Sequence, residues 1–157
     1  MTFTKEQLYI VHFCAIECKL QISGEESVAC MVRAWDWAMQ QEGRPITSDD
    51  IRILGALIEP VKNLRGFREV GVRVGWDVKM DWRLVPEQVA KLVEAQDALA
   101  PRDWFREYEE VHPFVDGNGR SGACLFNWLA GTLTHPDWPP NFWKDSRRVP
   151  GFGAPRE

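Results

Sequence analysis

Apolar residues along the chain recur mainly at helical spacing. Between Lys5 and Leu20 they occur on nearly all sides, which predicts a helix enclosed by its neighbours. Between Val28 and Met39 they repeat every three or four residues and stop before Gly43, which predicts an amphipathic helix. The same spacing returns in four later stretches, near residues 51–58, 89–93, 104–111 and 125–129. The pattern therefore predicts a mainly α-helical protein.

Local signals indicate where two of these helices begin or end. The third helix is expected to start at Thr47 or Ser48, whose side chains can cap it, and to be interrupted near Pro60. A later helix should end by His112, because Pro113 disfavours the α conformation at the residue before it.

One stretch breaks the helical pattern. From Phe67 to Gly75 the sequence alternates and is rich in valine between glycines, which predicts a short strand or hairpin. An exposed hairpin edge accepts extended peptides through main-chain hydrogen bonds. The residues alone leave two interpretations open, an edge that docks a partner and a hairpin that only covers the core.

Length and charge limit the classes of function. The 157 residues are expected to form one domain, residues 1–157, that buries about 70% of the surface of the unfolded chain. The net charge of −4 offers no basic field to a nucleic-acid backbone. The N-terminus lacks a secretory signal, and no apolar run approaches the roughly 18 residues of a membrane span. The expectation is a cytoplasmic protein that binds neither nucleic acid nor membrane.

The cysteines and the C-terminal segment each support one further prediction. The four cysteines contain no Cys-x-x-Cys pair, and Cys14 and Cys18 are neighbours on one helical face. This arrangement favours buried reduced thiols over a metal or redox site. In the C-terminal segment Phe142 and Trp143 are expected to pack against the core, and residues 147–157 to form a loose tail.

The richest chemistry lies in the loop from Val111 to Gly122. A helix that begins near Gly119 or Arg120 would place unpaired backbone amides at its N-terminus. Gly117 and Gly119 can adopt positive φ angles there, which helps the amides converge on an anion. The loop therefore predicts a phosphate site.

Three side chains of the loop complement that site. Asp116 offers an oxygen ligand to Mg²⁺, which characteristically binds one or two carboxylates together with substrate phosphates. Arg120 can stabilise charge that develops on a phosphate, and His112 can take a proton from an attacking hydroxyl. Together they predict phosphoryl or nucleotidyl transfer from a nucleotide–Mg²⁺ complex without a covalent enzyme intermediate.

Parts of the loop also match other sequence motifs. Residues 117–122 match G-x-G-x-x-G, but helical spacing with glutamates precedes them instead of the apolar strand of a dinucleotide-binding unit. The loop also lacks the Gly-Lys-Ser/Thr ending of a P-loop. A capped turn between two helices that carries a surface histidine is the non-catalytic alternative.

The loop also resembles a known signature. The segment His112-Pro113-Phe114-Val115-Asp116-Gly117-Asn118-Gly119-Arg120 resembles that of the Fic domain family, His-x-Phe-x-Asp/Glu-Gly-Asn-Gly-Arg-x-x-Arg. Further similarities are Asn127, the pair Pro139-Pro140, and Gly66-Phe67-Arg68 followed by alternating valines. The resemblance covers roughly residues 45–143.

The resemblance implies a fold and an activity. Fic domains are small, mainly helical proteins that typically transfer AMP from ATP to a Ser, Thr or Tyr hydroxyl of a target protein. The implied fold class is mainly α, a Fic-like helical bundle with a short β-hairpin flap. The implied enzyme is a protein adenylyltransferase that uses ATP, or another nucleoside triphosphate, with Mg²⁺.

The resemblance also implies roles for individual residues. His112 would be the general base, Arg120 a second catalytic residue, Asp116 the metal ligand and Phe114 the buried anchor of the loop. The residues implied for phosphate binding are Gly117, Asn118, Gly119, Arg120 and Ser121. The target would add as a strand to the flap, whose docking residues are Gly66, Phe67, Arg68, Val70 and Val72.

Ala123 departs from the family pattern. It stands where the family has its second arginine, so a charge that contacts phosphate is absent. The nearest approach to the family's inhibitory Ser/Thr-x-x-x-Glu-Gly/Asn pattern, residues 38–43, lacks the hydroxyl, which leaves a small antitoxin-like protein as one source of inhibition. Two alternatives to AMP transfer follow. One is a Doc-like phosphotransferase, although Doc-like loops usually have lysine at the position of Gly119, and the other is a nucleotide-binding pseudoenzyme or interaction module.

Overall fold

Helices account for most of the described chain. The computed structural model describes residues 2–140. The helices are α1 (Lys5–Leu20), α2 (Glu25–Gln40), α3 (Ser48–Ile58), α4 (Val85–Glu94), α5 (Pro101–Val111) and α6 (Asn118–Ala130). Two short strands, β1 (Arg73–Val74) and β2 (Asp77–Val78), and a 3₁₀ turn (Trp82–Leu84) lie between α3 and α4. The predicted class, a mainly α bundle with a short hairpin, is confirmed.

Helix α6 lies at the centre of the bundle. It packs against α5, α3 and α2, and α2 also contacts α1. Nine of its 13 residues are buried, so packing on most sides holds its N-terminus in place. The hydrophobic core around it includes Trp35, Leu54 and Trp104, and α6 itself contributes Leu125. None of the helices within residues 2–140 combines the length and apolarity that crossing a membrane requires.

The helix boundaries follow local chemistry. Helix α1 has the predicted bounds, and Thr4 caps it in a capping box with Gln7. Thr47 caps α3 as predicted. Helix α5 ends at Val111, and His112 takes a left-handed conformation with φ of 49°. Since the following Pro113 disfavours a helical conformation there, the helix stops before the loop.

Asp50 closes the capping box at the start of α3. Its carboxylate accepts from the Thr47 amide (2.8 Å) and makes a bidentate ion pair with Arg44 (2.7 and 2.8 Å). We expect Asp50→Ala to lower the free energy of unfolding by about 2 kcal/mol, since it removes a cap and a bidentate pair. Asp49→Ala in the same helical turn is the control, because that side chain is 84% exposed. Urea unfolding measures both, and equal losses would contradict the assignment.

The hairpin differs from the predicted strand. Its ladder pairs Arg73 with Val78 and Val74 with Asp77, and a two-residue turn at Gly75 and Trp76 joins the strands. Gly75 has φ of +59°, which favours glycine at the first position of such a turn. Residues 67–72 belong to neither strand, so the predicted strand is wrong over that part. The second strand comes from residues in which the pattern marked no strand.

The predictions for the cysteines are largely confirmed. Cys14, Cys18 and Cys124 are buried free thiols, whereas Cys30 is half-buried. Burial raises the pKa of all three buried thiols, that of Cys18 to about 11 with the nearby Arg120 charge opposing the rise. They are therefore protonated at neutral pH, which makes them unreactive packing residues.

The segment after α6 is anchored by one buried amide. Asn127 donates to the carbonyls of Ala123 (2.8 Å) and Asp137 (3.0 Å), and its oxygen accepts from Thr132 Oγ1 and the Asp137 amide. These four bonds hold residues 132–137 against the helix. The predictions for Phe142, Trp143 and residues 147–157 lie outside the described residues.

Candidate functional site

Most of the predicted site residues line one cleft at the N-terminus of α6. His112 and residues 115–120 form one wall, residues 72–74 of the hairpin form another, and Gln21 lies at the edge. The cleft has a volume of about 140 Å³. This is below the roughly 300–1,000 Å³ typical of small-molecule sites, so the cleft holds only part of a nucleotide without rearrangement.

The loop glycines have two different functions. Gly117 caps α6 in a left-handed conformation (φ 77°), and within the described residues no side chain caps this helix end. The first amides of α6 therefore have no partner inside the helix, and the helix dipole places positive charge behind them. Gly119 is helical, which corrects the expected positive φ there. The Gln21 side chain packs against it: a Cβ on Gly119 would lie 2.5 Å from Gln21 Oε1, so a larger residue there would displace that side chain.

Phe114 and Asn118 fix the shape of the loop. Phe114 is fully buried, as the resemblance implied, and its ring packs on that of Phe67 with centroids 5.7 Å apart. The Asn118 side chain accepts from the Phe114 amide (2.8 Å) and donates to the Phe114 carbonyl (2.9 Å). Since these bonds occupy that side chain, Asn118 contributes its backbone amide to the cleft.

Ser121 does not lie in the cleft. Its side chain is fully buried, and its Oγ lies 2.6 Å from the Tyr108 hydroxyl oxygen. The Ser121 hydroxyl donates to the Asn118 carbonyl (3.1 Å). Its amide donates to the Gly117 carbonyl in the first turn of α6. Both polar groups are engaged inside the protein, which corrects the prediction that Ser121 binds phosphate.

Arg120 carries a buried charge at the base of the cleft. Its side chain is 2% exposed, and Nη2 donates to Glu59 Oε1 (2.6 Å) and to Asp116 Oδ1 (3.4 Å). Its Nε and Nη1 find no hydrogen-bond acceptor among residues 2–140. Unsatisfied donors on a buried cation are costly, and an anion in the cleft would balance the Arg120 charge without reaching these two nitrogens.

Asp116 is the carboxylate of the site, and Lys62 is its main partner. Lys62 Nζ lies 2.5 Å from Asp116 Oδ2, and the Gly117 amide donates to Oδ1 (2.7 Å). Burial would raise the pKa of Asp116, but these two hydrogen bonds and the Arg120 charge hold the pKa below its ordinary value. The carboxyl is therefore ionised at neutral pH, the state that binds a cation.

The donor set fits a metal shared with a substrate. No cluster of three or more His, Cys, Asp or Glu side chains able to hold a metal occurs in residues 2–140. Two other carboxylates lie nearby, since Glu109 lines the cleft and Glu59 is paired with Arg120. With Asp116 as the ligand, the site suits Mg²⁺ bound jointly by one carboxylate and nucleotide phosphates. It does not suit a metal that the protein holds by itself.

His112 is placed by Arg68, a predicted flap residue. Arg68 is buried, and its Nε donates to the His112 carbonyl (2.7 Å) while its amide donates to the Pro113 carbonyl (2.9 Å). Its Nη1 donates to the Val70 carbonyl (2.9 Å), and its Nη2 donates to the Met80 carbonyl (2.8 Å). Burial lowers the pKa of Arg68. The residue ties the segment before the hairpin to the loop, and its role in docking a target stays a prediction.

The other predicted flap residues divide between core and surface. Phe67 is buried against Phe114, and its role in docking a target stays a prediction. Gly66 sits in a turn at φ of 95°. Val70 is exposed and Val72 lines the cleft beside β1. These two valines remain predicted docking residues.

Several residues of the site were not predicted, among them Glu109, which lines the cleft from α5. Glu59 and Lys62 follow α3 and engage the loop, and Gln21 lies over Gly119. Glu59 had a local signal, because a carboxylate at the negative end of a helix is unfavourable unless it has another partner. Lys62 and Gln21 had no such signal, since their partners are distant in sequence.

Ala123 lies in the core of the bundle. It is fully buried within α6, and its carbonyl accepts from Asn127. The position does not line the cleft. In this structure, therefore, the second turn of α6 provides a packing surface where the family signature has its second arginine.

The fold can be compared with known proteins. No family model and no curated protein matches the sequence. Solved structures match by fold: IbpAFic2 covalently tethered to Cdc42 (TM-score 0.66, 16% identity, 87% of this chain, 52% of that one) and Fic-1 from C. elegans (TM-score 0.60, 22% identity, 88% and 52%). This chain therefore spans about half the length of each. The fold of residues 2–140 is that of a Fic domain.

Proposed function

We propose that the chain is a nucleotidyltransferase. It moves AMP, or another nucleoside monophosphate, from a nucleoside triphosphate–Mg²⁺ complex to a Ser, Thr or Tyr hydroxyl of a protein. The observation that carries the proposal is the single cleft that contains His112, Asp116 and the free amides of α6. The Fic-domain fold supports the same conclusion.

The proposed chemistry needs each of these groups. His112 takes the proton of the target hydroxyl while the hydroxyl oxygen bonds to the α-phosphorus of the nucleotide. The bond between that phosphorus and the departing pyrophosphate breaks. The amides of residues 118–120 and the Arg120 charge hold the phosphates and stabilise developing negative charge. Mg²⁺, held by Asp116 and the phosphates, would neutralise charge on the nucleotide. No covalent enzyme intermediate is required.

The hairpin is the proposed docking site for the target. Residues 72–74 form one wall of the cleft, so an extended segment paired to this edge would lie beside His112. The two-stranded sheet has β1 and β2 as its only strands within residues 2–140, which leaves edges available for pairing. The tethering of IbpAFic2 to Cdc42 shows a Fic-fold protein linked to a protein partner.

Position-specific labelling tests the proposal. The protein is incubated with Mg²⁺ and ATP labelled at the α- or the γ-phosphate in a cell lysate, and labelled proteins are identified. We expect α-label on a protein band. Transfer of γ-label instead would favour a Doc-like phosphotransferase, and binding of nucleotide without transfer of any label would indicate a pseudoenzyme.

Gln21 narrows the phosphate end of the cleft. Its side chain packs on Gly119, and its Nε2 donates to Glu17 Oε1 (3.1 Å), which holds it there. We expect Gln21→Ala to bind ATP–Mg²⁺ about fivefold more tightly, because the phosphate no longer displaces a hydrogen-bonded side chain. Isothermal titration calorimetry measures the difference.

A matched control exists on the neighbouring helix. Gln41 is the C-cap residue of α2, as Gln21 is of α1, but it does not line the cleft. Gln41→Ala should leave nucleotide affinity unchanged. Weaker binding by Gln21→Ala would show that Gln21 contacts the nucleotide and does not obstruct it.

A further inference from the structure

The segment after α3 supplies the charges that face the loop. Glu59 pairs with Arg120 and Lys62 pairs with Asp116, while Asn63 donates to the Asp116 carbonyl (2.8 Å). Each charged side chain of the loop wall thus has an opposite charge from residues 59–62. In the ligand-free site, Arg120 and Asp116 therefore each already have an oppositely charged partner.

Lys62 occupies the oxygen that a metal would need. Its Nζ lies 2.5 Å from Asp116 Oδ2, whereas Oδ1 already accepts from the Gly117 amide and faces Arg120. A Mg²⁺ ion binds a carboxylate oxygen at about 2.0–2.1 Å. An ammonium and a divalent ion on the same oxygen repel each other, so a metal binds there more weakly while Lys62 keeps its position.

Displacement of Lys62 is feasible. The side chains of Lys62 and Asp116 are 54% and 42% exposed, so the ammonium can return to water without leaving an unpaired buried charge. The charge of Glu59 also acts on Lys62 and would attract the released ammonium. Arg120, by contrast, is buried and stays in place.

We propose that Lys62 is the resident counter-ion of Asp116, and that a divalent metal enters this site by displacing it. Lys62 thereby sets the metal concentration at which the site is loaded. The inference rests on the proposed function, in which Asp116 is the metal ligand. It assigns to Lys62 a role in metal affinity that the loop signature does not contain.

Site-specific metal titration tests the inference without measuring activity. Mn²⁺ alone is added to ¹⁵N-labelled protein, and paramagnetic broadening of the Gly117, Asn118 and Gly119 amide signals reports its dissociation constant. We expect Lys62→Gln to bind Mn²⁺ about threefold more tightly than the unmodified protein, the size of effect typical of exposed ion pairs. Asp116→Asn should abolish the broadening with or without the change at Lys62.

Arg65→Gln is the matched control. It removes the same unit charge from the same exposed segment, and Arg65 does not line the cleft. Its Mn²⁺ affinity should equal that of the unmodified protein. Equal affinities of Lys62→Gln and the unmodified protein would overturn the inference, and so would an equal gain in Arg65→Gln, which would indicate a general charge effect.

The outcomes also separate this inference from the proposed function. If Mn²⁺ broadens the loop signals through Asp116 but Lys62→Gln changes nothing, the displacement is refuted and the metal site stands. If no variant shows broadening that depends on Asp116, both the displacement and the metal role of Asp116 fail. Transfer of α-label is measured independently of either result.

Discussion

His112→Asn is expected to abolish nucleotidyl transfer while leaving the fold intact. General base catalysis contributes roughly 10²–10⁴-fold to a rate, so activity should fall by at least about 100-fold. Asparagine is the chosen replacement because His112 has φ of 49°, a conformation that asparagine tolerates better than other residues. Initial rates of α-label transfer measure the loss, and circular dichroism checks the fold.

His12→Asn provides the control for this prediction. His12 is exposed on α1 and does not line the cleft, so its replacement should leave the rate of transfer unchanged. Nucleotide affinity should change little in His112→Asn, since the proposed phosphate contacts come from α6. Transfer at an undiminished rate by His112→Asn would rule out this residue as the general base.

Gly55→Ala is expected to destabilise the protein although alanine favours helices. In an exposed helix interior the change would stabilise by about 1 kcal/mol. Here a Cβ would lie less than 3.0 Å from three carbons of the Phe114 ring, Cζ, Cε1 and Cε2, of which Cε2 is the most distant at 2.8 Å. Overpacking of this kind costs about 1–3 kcal/mol or more, so the net effect should be a loss of stability.

The same substitution should also impair transfer. Phe114 anchors the loop in the core, and its amide and carbonyl are hydrogen-bonded to the Asn118 side chain at the start of α6. A displacement of about 1 Å at a reacting geometry can cost about 100-fold in rate, and we expect a loss of that order. Denaturant unfolding and α-label transfer measure the two effects.

Two further variants distinguish the clash from a general effect of alanine. Gly71→Ala should be nearly neutral, because nothing lies within 4 Å of a Cβ at that position. A second substitution, Phe114→Leu, removes ring atoms from the clash, so the double variant should be more stable than the additive sum predicts. Gly55→Ala with unchanged stability would show that the helix adjusts freely beside the ring.

The local part of the fold was predictable from the sequence. The bounds of α1 follow from its apolar residues and the capping chemistry of Thr4, and α5 stops where Pro113 requires it. These signals act within a few residues, so a short window contains the whole cause. The hairpin was placed less well, since two-residue strands are too short to show alternation and depend on the turn at Gly75.

The candidate site was predictable only in its list of groups. The motif named His112, Asp116 and the amides near Gly117, and all line the cleft. The family resemblance also named Ser121 and, in the flap, Arg68, which are both buried and bonded inside the protein. Residue type shows what a side chain can do, but burial and partners decide whether it can meet a ligand.

The sequence by itself determined the helical class, the position of the loop and the chemistry that the loop offers. Only the tertiary structure decided which groups are free to act. Lys62 lies 54 residues before Asp116, and Glu59 lies 61 residues before Arg120. Pairs this far apart are brought together by the packing of α3 against α6. Because packing depends on the whole core, no local pattern predicts that this site is already filled by its own ion pairs.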